Sequence, residues 1–89
     1  MNIDVFDTHV TTTTGKRLHF DVLLPPGKQQ LASEYAREWL DSIGIRAEHI
    51  QQESCVYCHS QAADPDVEQH IEENGYFIYP MEGCPSAGT

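Results

Sequence analysis

Positive charge is scarce in this chain. Five Lys and Arg stand against 14 Asp and Glu, a formal net charge of −9 over 89 residues. The five, Lys16, Arg17, Lys28, Arg37 and Arg46, are scattered along the sequence. Nucleic-acid binders concentrate basic side chains to neutralise phosphates, so nucleic acid is not an expected partner, and an anionic membrane surface is disfavoured for the same reason. The balance favours a solvated exterior or a basic or cationic partner, and an unknown protein partner is expected. Long apolar runs are missing too: stretches such as Val22-Leu23-Leu24 are far too short to cross a bilayer. The opening residues, Met1 to Asp7, lack the basic and apolar regions of a secretory signal, and the expectation is a cytoplasmic protein. Cysteine is sparse and odd in number, three in all. In a reducing compartment that points to thiols or metal ligands rather than a disulfide framework. There is no Gly-rich phosphate loop, nucleophile elbow or metalloprotease motif, so no catalytic turnover is expected.

What is present suffices for one fold. Hydrophobic residues make up 39% of the chain, too many for a disordered acidic segment. A chain of this length can bury roughly 60 to 65% of its unfolded surface. With no repeat and no linker, residues 1–89 read as a single domain.

Residues 2–11 and 16–24 are rich in Val, Ile, Phe and Thr, and the second stretch alternates Leu18, Phe20, Val22 and Leu24 against Arg17, His19, Asp21 and Leu23. A loop of Thr13, Thr14 and Gly15, with the glycine left-handed, predicts a hairpin that pairs Val10 with Leu18, Thr8 with Phe20 and Phe6 with Val22. The other face then carries His9 opposite His19 and Asp7 opposite Asp21. Pro25-Pro26-Gly27 ends the strand. Residues 28–43 place Leu31, Ala32, Tyr35, Ala36, Trp39, Leu40 and Ile43 on one half of a helix, closed by Gly44. Residues 45–53 are read as a third strand leading into the cysteines. Asp64-Pro65 opens a second helix, with Val67 and Ile71 inward, and Gly75 stops it. Tyr76 to Tyr79 form a last strand, apolar on both sides, as in a central strand or one covered on both faces. The order β-β-α-β-α-β predicts a small two-layer α+β domain, its helices packed on a largely antiparallel sheet.

The segments Phe6-Asp7-Thr8, His19-Phe20-Asp21-Val22, Tyr35-Ala36-Arg37-Glu38-Trp39-Leu40, Cys55-Val56-Tyr57-Cys58-His59-Ser60 and Gly75-Tyr76-Phe77-Ile78-Tyr79 extend over nearly the whole chain. Together they resemble the small bacterial family catalogued as domain of unknown function twenty-twenty-four. The resemblance implies a compact α+β domain and no established activity.

Four residues are candidate metal ligands: Cys55, Cys58, His59 and Cys84. Zinc takes thiolate and imidazole, and a Cys-x2-Cys turn offers two sulfurs from one tight loop. Cys84, between Gly83 and Pro85, would be a third ligand, and His59, or else His70 or His49, the fourth. A second Cys-x2-Cys pair is absent, so unligated thiols lying in a turn are the plain alternative. Haem attachment also uses Cys-x-x-Cys-His, but the chain shows neither an export signal nor a helical cytochrome pattern, and haem is disfavoured. Redox chemistry at the same cysteines, with Cys84 resolving, is a further alternative, although Pro65 opens its helix too late to lower the pKa of Cys55 or Cys58. Asp7, His9, His19 and Asp21 share one face of the hairpin, where they could hold a divalent ion, do acid–base chemistry or form only a solvated polar face. The function expected is that of a small cytoplasmic accessory or interaction domain with structural zinc at the Cys-x2-Cys-His cluster. The alternative is a thiol-based redox or metal-handling protein.

Overall fold

The computed structural model describes residues 1–83, so Cys84 and the expectation placed on it lie outside the described residues. Strand β1 (Asn2–Thr12) and strand β2 (Arg17–Leu24) form the hairpin that the alternation predicts. Val10 pairs with Leu18, Thr8 with Phe20 and Phe6 with Val22, and the intervening pairs are His9 with His19 and Asp7 with Asp21. Gly15 sits at φ +86°, the left-handed conformation that lets a short loop join two twisted strands.

One face of this hairpin builds the main core. Phe6, Val10, Leu18, Phe20, Val22 and Leu24 pack against Ala32, Ala36 and Leu40 of helix α1 (Ala32–Ser42), which a 3₁₀ turn over Gln29–Leu31 precedes. Trp39 belongs to this core rather than to a binding surface: its ring lies 4.7 Å from that of Phe20. Each large side chain taken out of water here contributes about 1.5–3 kcal/mol. Helix α2 (Pro65–Asn74) behaves as its ends predict, with Asp64 in the N-cap position, Pro65 in the first turn and Gly75 left-handed at the C-cap. Its Val67 and Ile71 pack on Ile3, Val5, Leu23 and Phe77, which belong to the opposite face of the sheet.

The α+β class and the element order are as the sequence predicts. The two-layer arrangement holds over most of the sheet, and α2 adds a short third layer at one end. That placement explains the doubly apolar strand β4 (Phe77–Pro80): Phe77 meets α2 while Ile78 joins the core under α1. Although β4 is an edge strand, pairing with β2 alone in the sheet order β3-β1-β2-β4, it is covered on both sides at Phe77 and Ile78, while Tyr79 is exposed. Beyond β4 the backbone stays beside β2, since the Met81 amide donates to the His19 carbonyl and the His19 amide to the Glu82 carbonyl, at 2.9 and 2.8 Å. Gly83 then lies against the Arg17 carbonyl so closely that no Cβ fits.

The largest departure is strand β3. Residues 45–49 form no strand; a 3₁₀ turn occupies Ala47–His49, and β3 runs over Ile50–Ala62, through Cys55, Cys58 and His59. It pairs antiparallel with β1 from end to end, with register shifts at Val5/Phe6 and Thr11/Thr12. Pairing supplies partners for backbone groups that a turn would leave to solvent, and the segment offers no glycine, proline or asparagine with which to make that turn. No helix among the described residues is long and apolar enough to cross a membrane.

Candidate functional site

Because α2 covers only the Ile3, Val5 and Leu23 end of its face, the rest of that face is open. Asp7 and His9, two residues apart on β1, project there together, and His19 on β2 stands directly opposite His9. His9 Nε2 lies 3.0 Å from Asp7 Oδ2, and His19 Nε2 contacts Asp7 Oδ1. One carboxylate thus bridges two imidazoles whose rings stack at 4.1 Å and 10°. One potential ligand atom from each of the three residues lies within 4.8 Å of the other two.

The electrostatics follow from this geometry. The hydrogen bond from His19 chiefly holds the Asp7 carboxyl below its ordinary range, with help from His9 and against the opposing effect of burial. Asp21 moves the other way: burial raises it first, and the Asp7 charge across the strand pair adds to the rise. Two carboxylates placed opposite each other therefore occupy different environments.

The cysteines are not gathered in the same way. Cys55 lies opposite Thr8, whose hydroxyl donates to its sulfur at 3.4 Å, and it lines a cleft of about 130 Å³ with Ser33 and Ala36 of α1. Burial pushes the Cys55 thiol up, although hydrogen bonds with Thr8 and Ser33 oppose that, and a raised pKa disfavours the reactive thiolate. Cys58 is the extra residue where the register shifts, since Val5 faces His59 and Phe6 faces Tyr57. It is exposed, with its sulfur 3.2 Å from His59 Nδ1. Three residues of extended chain span about 10 Å, so the strand spreads apart the two sulfurs that a tight turn would bring together. Of the other two histidines considered, His70 packs on Phe77 at 5.2 Å, and His49 accepts from the Arg46 amide at 3.4 Å. Among the described residues, Asp7, His9 and His19 form the ligand cluster and the cysteines enter none.

The sequence alone did not reveal the edge that β3 presents. Thirteen residues long, it hydrogen-bonds β1 on one side and, among the described residues, has no strand on the other. Val56 and Tyr57 at its centre are 60% and 50% exposed. Its one formally charged side chain, Glu53, is held by Arg37 of α1 at 3.1 Å. Tyr57 and Ser60 share a hydroxyl hydrogen bond of 2.8 Å, and Ser60 donates to Asp4 at 2.7 Å, which fixes that end of the strand on β1. The uninterrupted run without glycine or proline from residue 45 to 64 was the available signal.

With this geometry in place, comparison with known proteins adds fold and family. A family model described as "Domain of unknown function (DUF2024)" matches residues 1–81. The chain is similar to the NMR structure of protein NE1680 from Nitrosomonas europaea, a Northeast Structural Genomics Consortium target. Identity is 44% and the TM-score 0.79, with 96% of this chain and 100% of that one covered. No curated protein matches the chain.

Proposed function

The chain belongs to the DUF2024 family, and from that premise we propose that it is a small, non-catalytic cytoplasmic accessory domain that captures an extended segment of a partner protein along β3. One observation carries this reading: β3 is a long edge with exposed Val56 and Tyr57 at its centre and a single formal charge in thirteen residues. Natural sheets usually blunt such edges with charge, proline or a covering element. Among the described residues the devices of this kind are the two register shifts against β1 and Glu53, which Arg37 holds. An added strand gains main-chain hydrogen bonds along the ladder and side-chain contacts at alternate positions. The charge of −9 selects an extended segment carrying Lys or Arg and works against a second copy of the chain.

The test titrates the ¹⁵N-labelled chain with a ten-residue peptide alternating Lys with Val and Thr, and separately with its Glu counterpart. The account expects amide shifts concentrated in residues 50–62 with the lysine peptide, weaker binding of the glutamate peptide, and loss of both in Val56→Lys. Unchanged β3 amides, or shifts centred on β4, overturn it.

A second reading is a zinc or redox site centred on Cys58 and His59, supported by the 3.2 Å approach of Cys58 sulfur to His59 Nδ1. Native mass spectrometry of the reduced protein, with and without chelator, tests the zinc form. A stoichiometric zinc lost in Cys58→Ser supports it, and retention of that zinc in Cys58→Ser removes it.

A further inference from the structure

We propose that Asp7, His9 and His19 form a binding site for a divalent first-row transition-metal ion, open on its solvent side. The site is built by register. Asp7 and His9 share a face because a strand returns a side chain to the same side every second residue, and the hairpin places His19 opposite His9. Two imidazoles and one carboxylate are a donor set for zinc, cobalt, nickel or iron(II), whereas calcium and magnesium take oxygen ligands.

The approach of each histidine to the carboxylate suits an ion, and the three ligand atoms all lie within 4.8 Å of one another. Ligands bonded at about 2.0–2.2 Å in a tetrahedral or octahedral shell lie about 3.0–3.5 Å from one another. His9 Nε2 is already 3.0 Å from Asp7 Oδ2, His19 Nε2 is in contact with Asp7 Oδ1, and the ring stacking directs both imidazoles to the same carboxylate. An ion would enter between each Nε2 and the carboxylate, the Nε2 proton leaving to water while Nδ1 keeps or takes up a proton. Each imidazole would bind as the neutral ring with its proton on Nδ1.

The surroundings point the same way. Like charges directly opposite each other are unfavourable on a sheet, yet here Asp7 stands opposite Asp21. A dication at Asp7 would offset the repulsion between Asp7 and Asp21. It would also relieve, locally, a chain that carries −9 overall. Three protein ligands leave coordination positions for water or a small donor, as in open rather than closed metal sites.

The experiment uses the tag-free full chain with Zn²⁺ in calorimetry and Co²⁺ in visible absorption. We expect one ion per chain and Co²⁺ bands that zinc abolishes. His9→Ala, His19→Ala and Asp7→Asn should each weaken binding by about tenfold or more, since even groups that only orient metal ligands are worth that much. A preserved amide spectrum in each variant separates ligand loss from misfolding, and Cys58→Ser should bind as the parent does. No binding at millimolar Zn²⁺ overturns the proposal. So does binding that survives His19→Ala in a folded variant, or binding lost in Cys58→Ser.

Discussion

The two faces of the β1–β2 hairpin share one backbone and one register, but they do opposite things. On one face Phe6, Val10, Leu18, Phe20 and Val22 lie buried under α1. On the other, Asp7, His9, His19 and Asp21 stand in the stretch that α2 does not reach. Slipping the pairing by one residue would exchange the two sets, so burying the apolar face is also what aligns the polar cluster. The cluster comes at little cost in core stability, because it occupies positions the core does not need.

Substitutions on the two faces should therefore separate stability from chemistry. The largest effect belongs to the covered face. Phe20→Ala removes a fully buried ring and should cost about 3–5 kcal/mol, a large part of the stability of a domain this size; urea denaturation followed by Trp39 fluorescence measures it. His9→Ala, measured the same way without metal, should change stability by less than about 0.5 kcal/mol. Equal losses at the two positions would break the contrast.

Metal gives the next effect. Zinc at one hundred times its dissociation constant should stabilise the folded chain by about 2.7 kcal/mol, a rise in melting temperature on the order of 10 °C. Calorimetric scans of His19→Ala should show no such rise.

Smaller still are the effects of pH. Asp21 has its pKa raised by burial and by Asp7, so its charged form is disfavoured in the fold and stability falls as pH rises through its folded value. Asp21→Asn should therefore stabilise the protein at neutral pH, by less than about 1 kcal/mol after solvent screening, with the advantage vanishing in acid. Asp7, lowered chiefly by its hydrogen bond with His19, has the opposite sign. Its stabilisation is present above the ordinary carboxylate range and disappears as pH falls through its depressed folded value. Melting curves of Asp7→Asn and the parent should converge there. The smallest effect is kinetic: iodoacetamide should modify exposed Cys58 before Cys55, whose thiol burial holds up.

The hairpin register was legible because one glycine at a loop and a clean alternation of apolar residues leave few ways to pair the strands. That same register placed Asp7, His9, His19 and Asp21 on one face. What it did not show was Asp7 bridging both imidazoles, which depends on side-chain rotamers. Both helices were legible from their apolar stripes and stop signals at Gly44 and Gly75. The extent of β3 was not. Its alternation changes phase at the extra residue Cys58, and its exposure on nearly every position erases the two-residue pattern of a half-buried strand. The Cys-x2-Cys-His spacing, familiar from metal-binding turns, concealed a strand that has no glycine, proline or asparagine.

Hydrogen–deuterium exchange of residues 50–62, with and without the lysine peptide, tests most directly that this chain acts through its open edge. The account predicts that outward-facing β3 amides exchange quickly in the free protein and slow markedly on peptide addition, while β1 stays protected throughout. Slow exchange along all of β3 in the free chain, or unchanged rates with peptide, would contradict it.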